Sequence, residues 1–195
     1  MLCLCMAKKP DISQKLIDSA FILALEKRWA HLSMGDIARH ANVPLSEALS
    51  VFHNRDALLD TVIGKVDHAA LGECANFQED DTTKDKLFAL LMARFDALTP
   101  YRQAMKAIAK DILCNPLLIT CRLPRLLQSM ALMLEAVGIQ SSGPAGIIKA
   151  NGLALIFANT LRIWLGDETE DQGATMAALD QGLGRADSLV QKLSL

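Results

Sequence analysis

The sequence predicts an all-α protein of about nine helices, with a small N-terminal domain of three helices over residues 1–54 and a larger helical domain over 55–195. Three observations carry this. Apolar residues make up 51% of the chain but aromatics only 5%, with alanine, leucine and methionine dominant and β-branched runs scarce, which is a helix-forming composition. Apolar positions recur three and four residues apart along almost the whole length, the period of an amphipathic helix. Short polar or proline-containing breaks separate these stretches, as at Asn42–Pro44, Gln78–Thr83, Thr99–Pro100, Asn115–Pro116 and Gly138–Gly143.

Taken in order, Lys15 to Lys27 forms the first helix, with Ile17, Ala20, Phe21 and Ala24 on one side. Ser33 caps the next, and Asp36 three residues on completes a capping box. Met34, Ile37, Ala38 and Ala41 form its apolar face. Asn42 and Val43 make a turn, and Pro44 opens a third helix, where a missing N–H costs nothing. Leu45, Ala48, Leu49 and Phe52 form that helix's stripe. Asn54 caps a fourth helix from Arg55 to about Phe77, striped by Leu59, Val62, Ile63, Val66 and Ala70. Two short amphipathic helices at the spacing of Ser33–Arg55 are what a helix-turn-helix needs, one supporting and one presented to a DNA major groove. Two ordinary core helices give the same pattern.

Further along, Lys84 to Leu98 is the fifth helix and Tyr101 to Leu113 the sixth. Pro124 starts or kinks a helix reaching Val137. Pro144 opens a long apolar helix to Leu165, and the last helix runs from about Asp171 to Lys192. The helix after Pro144 is apolar nearly all round, through Ile147, Ile148, Leu155, Phe157 and Trp164, so several of its sides are expected to be buried. Its small residues Ala145, Gly146, Ala150, Gly152, Ala154 and Ala158 permit close helix approach. With Met176, Leu179, Leu183 and Ala186 on the final helix, this hairpin fits a four-helix homodimer interface, or else a monomer with a buried central helix.

The helix (LIDSAFILALEKRW), the segment LSMGDIARHANV, the short helix ending in Phe52 and the NRDALLD opening of the fourth helix resemble the TetR-type transcriptional regulators over residues 1–65. That resemblance implies a DNA-binding helix-turn-helix domain on a domain that dimerises and binds a small ligand. The implied function is a ligand-responsive repressor that binds double-stranded operator DNA as a homodimer. The implied DNA-contacting set is Ser33, Pro44, Leu45, Ser46, Glu47, Ser50, His53 and Arg55. Arg55 keeps the family's basic residue at the fourth helix's start, where helix dipole and cation together grip a phosphate. Other positions depart from the pattern. Pro44 replaces a Ser or Thr cap, Ser46 and Glu47 replace a small residue and a hydroxyl, Leu49 replaces a backbone-contacting Tyr, and Val51 replaces a His or Tyr. Glu47 repels phosphates, although a carboxylate can accept from a cytosine amine.

A second resemblance leads elsewhere. TLRIWLGDETEDQGATMAALDQGL is similar to a segment of TetR-fold accessory proteins of ubiquinone biosynthesis, which bind isoprenoid lipids instead of operators.

Charge and chemistry bound these readings. The net charge of −2 argues against a generic nucleic-acid coating. Residues 1–65 hold eight Lys and Arg against seven acids, and residues 66–195 twelve against fifteen, so the N-terminal part is the less acidic. Lys8, Lys9, Lys15, Lys27, Arg28, Arg39 and Arg55 either cluster in space or are separate solvated charges. Neither the four histidines nor the five cysteines have metal-ligand spacing, and no nucleophile elbow, P-loop or dinucleotide-binding glycine set is present. No enzyme activity, cofactor or metal is expected. A small apolar ligand would be lined by Phe88, Met92, Phe95, Met105, Leu126, Met130 and Met133, methionine adapting to irregular apolar shapes. Arg94, Arg122 and Arg125 offer polar groups to such a pocket or lie on the surface. The opening MLCLCM has neither a basic n-region nor a cleavage site, and no uninterrupted apolar run is long enough to span a bilayer. A cytoplasmic protein with reduced thiols is expected.

Overall fold

The first helix is long because nothing breaks it: α1 (Lys9–Glu26) runs until the Lys27–Arg28 pair, and a 3₁₀ turn at Trp29–His31 follows. The computed structural model describes residues 9–169 and 171–193; Cys3, Cys5 and the MLCLCM opening lie outside them. After α1 come α2 (Met34–His40), α3 (Leu45–Val51), α4 (Arg55–Leu71), α5 (Thr83–Leu98), α6 (Arg102–Leu113), α7 (Pro116–Ala136), α8 (Gly143–Trp164) and α9 (Gly173–Leu193). No strand occurs among the described residues. The all-α expectation and its count of about nine helices hold.

The chain forms two compact units, residues 1–65 with 101–119 and residues 66–100 with 120–195. In the first, α1 is the hub, packing on α2, α3 and α6. Its predicted stripe, Ile17, Ala20, Phe21 and Ala24, is buried. The Phe21 ring meets Tyr101 edge-on with centroids 4.8 Å apart, an arrangement that adds to simple area burial. Trp29, Leu32, Ile37, Ala48, Phe52 and Leu58 complete that core. In the second unit, α5 packs on α8 and α9, and α8 packs on α9. A Cβ at Gly182 would lie 2.7 Å from Ile156 Cγ2, so the absence of a side chain there lets α9 pack closely on α8. Asp167 fastens the loop between them, accepting from the backbone N–H and hydroxyl of Thr175 at 2.9 and 2.7 Å and from the Thr169 hydroxyl at 2.6 Å. These bonds hold its carboxyl well below the usual carboxylate range.

Four element-level expectations need correction. The fourth helix ends at Leu71 and gives way to a 3₁₀ segment, Gly72–Asn76, instead of reaching Phe77. α7 begins at Pro116 and carries Pro124 inside it, so of the two alternatives for that proline only the helix start is excluded. Asn115 Oδ1 accepts from the Leu117 N–H at 3.1 Å, and a proline costs nothing in a first turn. Pro44 stands at the N-cap of α3 in extended conformation, just before the helix. Finally, α8 is not buried on all sides within the protomer. Gly146, Ala150, Leu153, Ala154 and Phe157 face inward, whereas Ile147, Ile148 and Leu155 are 60%, 72% and 73% exposed. Its small residues divide likewise, with Ala145, Gly152 and Ala158 on the exposed side. By length and composition alone, α7 is apolar enough to cross a membrane, although Arg122, Pro124 and Arg125 stand near its middle.

Candidate functional site

Local chemistry builds the α2–α3 segment. The Ser33 hydroxyl accepts from the Asp36 N–H at 3.1 Å, and the Asp36 carboxylate accepts from the Ser33 N–H and hydroxyl at 3.2 and 2.6 Å. This is the predicted capping box, and the Ser33 bonds keep the Asp36 carboxyl below its ordinary range. α2 then stops because Asn42 turns left-handed, with φ 53°. The Val43 N–H reaches back to the Ala38 carbonyl at 2.9 Å and the Asn42 N–H to that of Arg39 at 3.2 Å, a Schellman closure with asparagine in glycine's usual place. Asn54 Oδ1 accepts from the Ala57 N–H at 2.7 Å, so it caps α4 as its sequence position suggests.

Between these fixed points α3 is held by few anchors. Ala48 and Phe52 are buried, while Leu45 and Leu49 of the expected apolar stripe are 48% and 43% exposed. The stripe expectation is corrected accordingly: seven residues pivot on Ala48 and the C-cap Phe52, and the two leucines turn outward. Pro44, Leu45, Ser46, Ser50 and His53 are exposed and Glu47 is half-buried. The Ser50 hydroxyl donates to the Glu47 carbonyl at 2.7 Å, which leaves its oxygen lone pairs outward. Leu49 was outside the expected contact set, yet it stands on the same outward side; its signal was its position one residue beyond the buried Ala48, about 100° round the helix. Arg39 is the most exposed cation nearby, its side chain 82% accessible, and it and Lys27 lie 3.7 and 3.6 Å from the Asp36 carboxylate.

Arg55, at the start of α4, has partners within the protein. Its Nη1 donates to the Ala30 and Leu32 carbonyls at 2.7 and 2.8 Å, tying the start of α4 to the chain just before α2. The guanidinium is half-buried and engaged with the protein's own backbone.

In the second unit a polar cluster lies inside the core. Arg94 is 2% exposed, and its Nη1 donates to Asp67 Oδ1 and to the Ser129 hydroxyl. Ser129 Oγ donates in turn to Asp67 Oδ1 at 2.6 Å, and Arg125 Nη2 lies 3.6 Å from Asp67 Oδ2. The guanidinium sits 4.8 Å from the centroid of Phe157, which stacks on Phe95. Burial lowers the Arg94 pKa, and the Asp67 charge opposes that loss. Asp67 was missed in the sequence because it directly follows Val66 of the α4 stripe; an acid with apolar residues one turn away on both sides, Ile63 before it and Ala70 and Leu71 after it, was the available signal.

The residues expected around a ligand are divided. Phe95, Met130 and Met133 are buried and Phe88, Met92 and Leu126 half-buried in the second unit, whereas Met105 is buried on α6 in the first. An open groove along α9, lined by Gln181, Gly184, Arg185, Ser188, Leu189 and Lys192, includes none of them. Among the described residues no group of His, Cys, Asp and Glu could hold a metal ion, and Cys74, Cys114 and Cys121 are free thiols.

Comparison with solved structures shows what this architecture is like. The chain superposes on the crystal structure of a TetR transcriptional regulator from Nitrosomonas europaea ATCC 19718 with a TM-score of 0.71 and 22% identity, covering 91% of this chain and 98% of that one. A TetR transcriptional regulator from Rhodococcus sp. RHA1 matches with a TM-score of 0.61 and 14% identity, over 90% and 95% of the two chains. No protein-family model and no curated protein matches the sequence. The chain therefore has the fold of TetR transcriptional regulators.

Proposed function

We propose that this chain is a TetR-type DNA-binding transcriptional regulator, a ligand-responsive repressor working as a homodimer in the cytoplasm. The observation that carries the reading is the stance of α3. It is pinned by Ala48 and Phe52 and framed by the capped α2 and α4, and it turns Leu45, Ser46, Leu49, Ser50 and His53 to solvent. A short helix held by its neighbours with a polar and apolar outer face is suited to a major groove. Serine hydroxyls and His53 bond base edges there, the leucines meet thymine methyls, and Glu47 accepts from a cytosine amine. Pro44 and Ser33, at the two helix starts, lie beside the phosphates in this reading.

We take residues 1–54 as the DNA-binding domain and 55–195 as the ligand-binding and dimerisation domain. The outward face of α8, with Ile148, Gly152, Leu155 and Ala158, joins α9 in covering a second copy. Its exposed leucine and isoleucine side chains support this, since such a patch marks an association surface. Ligand binding releases DNA by favouring one of two arrangements of the dimer. No catalytic role is part of the reading.

A gel shift with the DNA flanking the protein's own gene tests it. A shift that weakens with added salt is expected; no shift at low salt overturns it. One observation favours a second reading: α3 carries Glu47 and neither Lys nor Arg. A lipid-binding accessory protein with this fold would give no shift and would copurify with an isoprenoid lipid.

A further inference from the structure

Two guanidinium groups in the second unit share a single carboxylate. Arg94 and Arg125 both face Asp67, and the cluster's neutral partners are Ser129, which accepts from Arg94, and the Gln128 side chain, whose Oε1 accepts from Arg125 Nη1 at 3.2 Å. The two guanidinium groups and the one carboxylate of the cluster therefore sum to one positive charge. The hydrogen bonding is incomplete as well. Nε of Arg94 and Nε of Arg125 are both buried and have no acceptor among the described residues. A buried donor without an acceptor is uncommon in a folded protein, and two on adjacent cations call for a partner. The surroundings are apolar on one side: the Arg94 guanidinium lies 4.8 Å from the centroid of the buried Phe157 ring, which stacks on the buried Phe95. Arg125 is one-third exposed, so the cluster reaches solvent on that side.

We propose that this cluster is a binding site for an amphiphilic anion, its carboxylate or phosphate head held by the Nε edges of Arg94 and Arg125 and its apolar chain lying against the Phe157 and Phe95 side of the cluster. The head brings the charge of the cluster to zero and supplies the missing acceptors, in the planar geometry that arginine offers a carboxylate or phosphate. The proposal rests on the reading of the second unit as the ligand-binding part, and it names the class of that ligand.

The test is calorimetric titration of the full chain, without DNA, with decanoate, decyl phosphate and decan-1-ol, which share one chain length. At least one anion should bind more tightly than the alcohol by about tenfold or more. The stronger of the two identifies the head group as carboxylate or phosphate. In Arg125→Gln the preference should fall to near unity while circular dichroism remains that of the wild type. If that variant fails to fold, Arg125→Lys, which keeps the charge and loses Nε, takes its place. Asp67→Asn should tighten anion binding, because it removes the internal competitor; a merely structural ion pair would leave anion binding absent. Equal binding of all three probes, no binding of any, or a preference that survives the arginine substitutions overturns the proposal. Because no DNA is present, a failed gel shift beside a clear anion preference sinks the regulator reading alone, and the converse result sinks the anion site alone.

Discussion

At the scale of single residues, Arg55 and Asn42 govern the N-terminal unit more than their exposure suggests. Arg55 satisfies two backbone carbonyls ahead of α2. Arg55→Ala should lower unfolding stability by about 3 kcal/mol, as loss of charged hydrogen bonds to part-buried carbonyls does. Urea denaturation without DNA measures this. A loss below about 0.5 kcal/mol, the range of a plain surface change, with uniformly weaker DNA binding, would return the residue to a phosphate. Asn42 holds a left-handed turn. Asn42→Val should cost about 1–2 kcal/mol while Asn42→Gly stays near neutral, and equal effects would show that the turn is not what the substitution disturbs. The position of Arg55 at a helix start was legible in the sequence, but its direction was not. Spacing along a chain fixes which residue begins a helix, and says nothing of where a long side chain with several torsions comes to rest. Arg94 is the same case in reverse: it sat in a run of apolar residues at helical spacing, and only packing from other helices decides that it is buried.

At the scale of elements, the helix starts were the most readable features. Ser33–Asp36 and Asn54 cap as their spacing suggests, because a cap needs only residues three apart. Thr82 and Asp85 form a second capping box at α5 by the same logic. Helix ends were less legible. Nothing in the residues from Gly72 to Asn76 opposes an α-helix as strongly as a proline would, yet the chain there tightens to 3₁₀. The capping carboxylates also set the acid behaviour. Hydrogen bonds from Ser33, Thr82, Thr169 and Thr175 lower the pKa values of Asp36, Asp85 and Asp167. A carboxyl whose folded pKa is depressed contributes stability that is complete above its unfolded value, about 4, and is lost as pH falls toward the folded value. Asp167→Asn should therefore be less stable than wild type at pH 7, and the gap should close progressively below about pH 4. Denaturation curves between pH 7 and pH 2 measure it; a gap that stays constant would mean the carboxylate charge plays no part in the loop.

At the scale of the whole molecule, the two-sided α8 is the feature to probe. Ala154 lies inside the second unit and Ala158 outside. Ala154→Glu should unfold that unit, since a buried unpaired carboxylate costs several kcal/mol, roughly 3 or more. Leu155→Asp and Ala158→Glu should leave the fold intact and separate the copies. Light scattering beside circular dichroism distinguishes the two, and a folded dimer in both exposed-face variants would move the interface elsewhere. The apolar all-round composition of α8 was plain in the sequence; which side faces the protomer depends on α9 and Gly182, too far along the chain for local pattern to show.

The central claim is that two copies of α3 read DNA together. Selection of duplexes from a random library by the purified protein, followed by sequencing, tests it most directly. The account predicts an enriched palindrome whose half-sites lie about one helical turn apart, roughly 34 Å, and Ser46→Ala or Glu47→Gln should relax the preference at particular base positions within each half. A library with no enriched sequence at low salt, or a single unrepeated half-site bound by a monomer, would contradict it.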